Sequence, residues 1–171
     1  MAAPSAATTT TRSVETASGS RYAPWARYQS PLEVQEPDRL RARPRPNVWS
    51  PLEYACHVRD VLKMQKERIQ LALVEDEPAF APMRREERVI EDRYNEQDPA
   101  EVAKELNDAA SALAQTLETL DEEGWQRRGI YHWPTTQVRS VEWIGRHTLH
   151  EGRHHLWDID RLLGATPSEQ T

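Results

Sequence analysis

Trp49-Ser50-Pro51-Leu52-Glu53-Tyr54-Ala55-Cys56-His57-Val58-Arg59-Asp60 reads as the opening of a long helix, and the fold follows from what surrounds it. Ser50 is placed to cap the first turn. Pro51 occupies the first helical position, where a missing N–H costs nothing, and Glu53 completes a capping box. Trp49 before the cap and Tyr54 inside the helix are spaced for a hydrophobic staple. Val58, Leu62, Ile69 and Leu73 then recur at helical intervals to about Val74. Toward the N-terminus, Ser30-Pro31-Leu32-Glu33 repeats the same start in a weaker form, and Pro37 cuts that element off. Toward the C-terminus, Asp98-Pro99-Ala100-Glu101 repeats it strongly, ahead of an apolar stripe of Val102, Leu106, Ala109, Leu113, Leu117 and Leu120. A third long helix is expected from about Ser140 to Leu163, with Gly164 and Pro167 as stop signals. Between the first two long helices, Glu75 to Gln97 is broken by proline and highly charged, with a helical turn expected around Glu86 to Tyr94. Strand signals are confined to Gly129-Ile130-Tyr131. Three long amphipathic helices and one short one predict an all-α helical bundle.

A chain of 171 residues is about one domain's worth. Met1 to Tyr22, rich in Ala, Thr and Ser, is expected to be a disordered tail, and 166–171 a short C-terminal one, which leaves 23–165 as the bundle domain. The N-terminal stretch lacks the apolar core of a secretory signal. No apolar run approaches the roughly 18 residues of a membrane span. Cys56 is the single cysteine, which precludes an internal disulfide and fits a reducing compartment. The expectation is a cytoplasmic protein with no membrane partner. A net charge of −6 has the wrong sign for a phosphate backbone, so no nucleic-acid partner is expected either.

Four of the six histidines crowd into His147-Thr148-Leu149-His150-Glu151-Gly152-Arg153-His154-His155, and two frames fit this run. In the first, His150-Glu151-Gly152-Arg153-His154 is a literal H-E-x-x-H: two histidines one turn apart for zinc, with the glutamate as general base of a metalloprotease. Asp160 is then a candidate third ligand. Against this frame, Trp157 stands where a short-spacer zinc protease needs a glycine to turn the chain. In the second frame each residue turns by about 100°, which puts Val141, Ile144, Thr148, Glu151, His155, Ile159 and Leu162 on one inward stripe. His150 and His154 fall to the side, near Trp143, Trp157 and Arg161. A carboxylate and an imidazole on a core-facing stripe are costly unless paired or bound to something. A buried Glu–His hydrogen bond and a metal ion are the two compensations. His57 is the one other histidine on an expected long helix and flanks its apolar stripe beside Tyr54 and Val61. His57, Glu151 and His155 would offer three nitrogen and oxygen donors, a set suited to zinc, nickel, iron or manganese.

These residues resemble the DinB-like superfamily. The likeness rests on Trp49 to Asp60 at one end. At the other it rests on Trp143-Ile144-Gly145-Arg146-His147-Thr148-Leu149-His150-Glu151 and His154-His155-Leu156-Trp157-Asp158-Ile159, and it spans about residues 22 to 163. It implies a four-helix bundle with a metal-binding histidine on the first core helix, which His57 matches, and an H-x-x-x-H pair on the last. The pair is where the chain departs. Setting Ile159 at the aliphatic position that follows the family's second histidine selects His155 and puts Glu151 in the first histidine's place. A literal match selects His150 and His154 instead, and the inward stripe favours Glu151 and His155. The resemblance further implies thiol-dependent S-transferase or isomerase chemistry. Its cofactor would be a divalent metal, zinc or nickel first and iron or manganese second. A low-molecular-weight thiol such as mycothiol, bacillithiol or glutathione would be co-substrate, and a small electrophile the acceptor. His147 and His154, which flank the ligand candidates, are then candidate catalytic residues. A homodimer is implied by the family. Glu151 also leaves open a non-catalytic bundle that binds a ligand or dimerises.

Arg39, Arg41, Arg43 and Arg45 alternate along the chain. In an extended segment they would share one side and could grip an anionic substrate, with Arg43 the candidate binding residue; pairing with the acidic bundle surface is their other use. Trp133, in the loop before the last helix, is a candidate pocket-lining residue. Cys56 reads as small core filling.

Overall fold

A computed structural model describes residues 23–164 apart from Trp133. The expected tails at 1–22 and 166–171, the Pro167 stop signal and the Trp133 pocket position lie outside the described residues. In chain order the elements are α1 (Ala23–Val34), α2 (Pro37–Arg41), α3 (Pro51–Val74), α4 (Arg85–Glu91), a 3-10 turn (Tyr94–Glu96), α5 (Pro99–Glu118), α6 (Glu122–Gln126), β1 (Arg128–Tyr131), β2 (Gln137–Ser140) and α7 (Val141–Leu163).

The long helices begin where their capping chemistry places them. Ser50 Oγ accepts the Glu53 N–H at 3.2 Å, and the Glu53 carboxylate accepts the Ser50 N–H at 2.8 Å, so α3 opens on a reciprocal capping box. The Trp49 and Tyr54 rings meet at 5.4 Å, as the staple requires. Asp98 Oδ1 accepts the N–H groups of Ala100 and Glu101 at the head of α5. Ser140 Oγ accepts the Trp143 N–H at the head of α7. Gly164, at φ 74°, closes α7 in the left-handed conformation that favours glycine. α3 packs against both α5 and α7, and α1 packs against the same two helices, which makes these four the bundle. Tyr28, Leu52, Leu62, Ile69, Leu106, Ile144 and Ile159 are fully buried where they meet.

The structure departs from the sequence reading in three places. Pro31 does not open a helix: α1 starts at Ala23 and carries Pro31 inside it. Trp25, Tyr28 and Leu32 are all buried, and that packing holds the turns before Pro31 helical despite the backbone bond a proline removes. The Gly129-Ile130-Tyr131 hint is one strand of an antiparallel hairpin in which Ile130 pairs with Val138. Ala79 adds a parallel bridge to Ile130, tying the α3–α4 loop to the hairpin. The arginine row is not extended, because Arg39 and Arg41 lie on α2, whose helical winding sends them apart. Arg39 donates to the Leu163 carbonyl and Arg41 to the carbonyls of Asn95 and Gln97. Arg43 grips both oxygens of Glu53 and the Pro46 carbonyl.

Candidate metal centre

Because α3 packs on α7, His57 from the first helix meets Glu151 and His155, one turn apart on the second. One potential ligand atom from each of the three lies within 4.8 Å of the others. His57 and His155 are buried and their rings meet edge to face, with centroids 5.1 Å apart. His155 Nε2 lies 3.6 Å from the Glu151 carboxylate. On the other side of the ring, Nδ1 is 3.1 Å from Asp158 Oδ2, and Asp158 is buried as well. An Nδ1–H donated to Asp158 fixes the ring with Nε2 facing Glu151, the arrangement by which a carboxylate orients a metal-ligating histidine. Tyr54 and Trp49 wall the pair in, with centroids 5.2 Å from His155 and 5.1 Å from His57.

The electrostatics of the trio are polarised. Burial, reinforced by the nearby His155, lowers the His57 pKa to about 3, so its imidazole is neutral at pH 7. Contact with His155, working against burial, holds the Glu151 carboxyl at about 2. Burial alone would lower His155, but its bonds to Asp158 and Glu151 outweigh that and raise it. The donor set fits a divalent ion on an observation internal to the fold: His57 Nδ1 is buried and has no hydrogen-bond partner. Buried polar atoms ordinarily find one. Two histidine nitrogens and one carboxylate are ligands for zinc, nickel, iron or manganese.

His57 and Glu151 open onto a cavity of about 290 Å³ between α3, α7, the hairpin and the α3–α4 loop, lined also by His147, Arg68, Tyr131 and Phe80. Gly129 on β1 makes room for one wall, since a Cβ there would come within 2.1 Å of the Phe80 ring.

The sequence model of the DinB superfamily matches residues 22–159. The chain belongs to the DinB superfamily. Among solved structures, this DinB-superfamily chain is similar to YfiT from Bacillus subtilis, described as a probable metal-dependent hydrolase with an unusual four-helix bundle topology. That likeness has a TM-score of 0.72 at 21% identity and covers 85% of this chain and 84% of that one. It is also similar to a mycothiol-dependent maleylpyruvate isomerase, with a TM-score of 0.66 at 13% identity, covering 81% of this chain and 57% of that one. No curated protein matches the chain. At these identities the likenesses establish the four-helix-bundle fold of the DinB superfamily.

Within this DinB-superfamily fold the remaining candidates fall in different places. His147 is stacked on Trp143 at 4.6 Å and lines the cavity; burial lowers its pKa. His154 is exposed, 3.7 Å from Asp158. With His155 and Asp158 it forms a second group of potential ligands, in which Asp158 already holds His155. His150 is exposed, stacked on His154 at 6.2 Å, and joins no group of three potential ligands among the described residues. Asp160 pairs with Arg27 instead of approaching the histidines. Arg43, engaged by Glu53, is not among the residues lining the cavity. Cys56 is buried, and burial pushes its thiol up to about 12, in keeping with core filling. Among the described residues no helix is long and apolar enough to cross a membrane. Sequence reasoning missed Asp158 and Arg68. Asp158 was within reach, three residues after His155 and therefore on the same face. Arg68 carried no signal, because one arginine in a charged helix looks like any other.

Proposed function

We propose that this chain is a metal-dependent transferase or isomerase that directs a low-molecular-weight thiol, of the mycothiol kind, onto a small electrophile. The observation that carries the reading is the convergence of His57, Glu151 and His155, with ligand atoms within 4.8 Å of one another and with His57 and Glu151 on the cavity wall. Two structures that share the fold support it, one described as a probable metal-dependent hydrolase and the other a mycothiol-dependent isomerase. A divalent ion held there would lower the pKa of a thiol at its open position. The chain's own residues do the rest. Asp158 fixes the His155 ring, and Trp49 and Tyr54 shield the pair from water. His147, neutral at pH 7 and on the cavity wall, is placed to take the thiol proton. The apolar wall around Phe80 holds the electrophile.

Elemental analysis of desalted wild type, His57→Ala, His155→Ala and His154→Ala tests the metal. About one ion per chain is expected in wild type and His154→Ala, with loss in the other two. Loss in His154→Ala alone would move the site to the His150 and His154 pair. Thiol consumption with a panel of electrophiles tests the chemistry. A metal-loaded protein that consumes no thiol with any of them would be a binding bundle and not an enzyme.

A further inference from the structure

Arg68 stands on α3 three turns beyond His57 and lines the same cavity. It is 8% exposed. A guanidinium this buried is ordinarily matched by a carboxylate, since an unpaired buried charge is costly. Arg68 has none among the described residues. Nη1 donates to the Tyr131 hydroxyl at 2.7 Å and to Gln65 Oε1 at 3.2 Å, and Nη2 donates to the Ala81 carbonyl. None of these acceptors is a carboxylate. Nε is buried without a partner; it and His57 Nδ1 are the two buried side-chain polar atoms left unsatisfied among the described residues, and both belong to this cavity.

The surroundings hold the cation in place without neutralising it. The guanidinium lies over the Tyr131 ring at 4.6 Å and within 5.8 Å of the Phe80 ring. These aromatic faces stabilise a cation weakly and leave its charge available. Arg84, Arg85, His132 and His147 also line the cavity, and Glu151, at the opposite end, is the one acid among the described lining residues. Arg84 and Arg85 are exposed and paired with Glu91 and Glu86. Arg68 is therefore the lining arginine that no carboxylate pairs among the described residues. Val61, Met64 and Met83 supply an apolar wall.

We propose that Arg68 is the anion-binding residue of this cavity and receives a carboxylate carried by the molecule bound there. This inference deepens the proposed function and rests on that reading for the reaction itself: the carboxylate at Arg68 would point the reactive centre of an apolar-bodied acid toward the His57–Glu151–His155 end. The carboxylate can belong to the electrophile or to the thiol co-substrate.

The test is calorimetric titration of chelator-treated wild type with benzoate, with benzamide as the uncharged control, repeated on Arg68→Met and Arg68→Lys. Working without metal keeps benzoate off the histidine cluster and separates this test from that of the metal reading. Wild type is expected to bind benzoate and not benzamide, and each variant to bind it about tenfold more weakly or worse, because the charge or its fork is gone. At the same concentration benzoate should raise the melting temperature of wild type clearly more than that of Arg68→Met. If Arg68→Met does not fold, Arg68→Lys carries the comparison. Equal binding of benzoate and benzamide, undiminished benzoate binding in the variants, or no binding by folded wild type at millimolar benzoate would overturn the proposal. A protein that takes up no metal when zinc, nickel, iron or manganese is added back, yet binds benzoate through Arg68, would sink the metal reading and leave this one standing. In metal-loaded protein, glutathione and cysteamine separate the two sources. A loss for glutathione alone in Arg68→Met assigns the carboxylate to the thiol, and no change for either thiol assigns it to the electrophile.

Discussion

At the residue scale, Asp158 decides what His155 can be. Its carboxylate holds Nδ1 at 3.1 Å and so turns Nε2 toward Glu151. Asp158→Asn keeps the volume and weakens that hold, so metal affinity is expected to fall roughly 10- to 100-fold with the bundle intact; competition against a chromogenic chelator measures it. His57 makes the metal-free protein acid-sensitive. Its folded pKa near 3 lies below the ordinary value of 6.5, so between these values the unfolded chain takes up a proton that the folded chain refuses. From pH 7 to pH 5 this removes about 2 kcal/mol of stability, while His155, shifted the other way, contributes stability as the pH falls. Urea unfolding of chelator-treated wild type and His57→Phe at both pH values should differ by that amount, and parallel losses would contradict it. That Glu151 and His155 share an inward face was legible because helical rotation fixes which residues of one helix lie together, whatever a five-letter motif suggests; His57, on another helix, was reached as the other histidine on a long helix and through the resemblance. Arg68 was not legible, since its meaning comes from what fails to surround it.

At the element scale, α1 and α7 meet at Gly152. A Cβ there would lie 2.2 Å from the Trp25 ring, and the Tyr28 hydroxyl donates to the Gly152 carbonyl at 2.6 Å. The glycine inside the H-E-x-x-H run thus exists to seat another helix. Gly152→Ala is expected to destabilise the protein by about 1–3 kcal/mol through overpacking, and Tyr28→Phe by about 1 kcal/mol through the lost hydrogen bond. Thermal unfolding of both variants checks this, and an Ala variant as stable as wild type would mean α1 shifts freely. The starts of α3, α5 and α7 could be read because their caps are local: a side chain bonds a backbone group two or three residues away. α1 could not, because its helical state before Pro31 depends on burial against α5 and α7. The hairpin was half legible. Its strands are four residues each, and their pairing is settled by partners the pattern alone does not name.

At the scale of the whole molecule, the bundle's stability and its cluster are thermodynamically linked. An ion that binds the folded chain alone adds about 2.7 kcal/mol at a hundredfold excess over its Kd. Zinc or nickel should therefore raise the melting temperature of the chelator-treated protein, and the same addition to His155→Ala should not. A rise of equal size in the variant would place binding elsewhere, with the exposed His150 and His154 the first suspects. Fold class was legible at this scale because three capped amphipathic helices admit few arrangements. The cavity was not, since it is bounded by a loop and a hairpin that meet through Ala79 and Ile130. The shared seat at Gly152 also bears on descent. Residue 152, between Glu151 and Arg153, is the berth for Trp25, so a larger side chain there is tied to a change at position 25 on another helix. Lineages that lose the glycine are expected to lose the tryptophan with it, and the first helix becomes a record of what the last one was permitted to change.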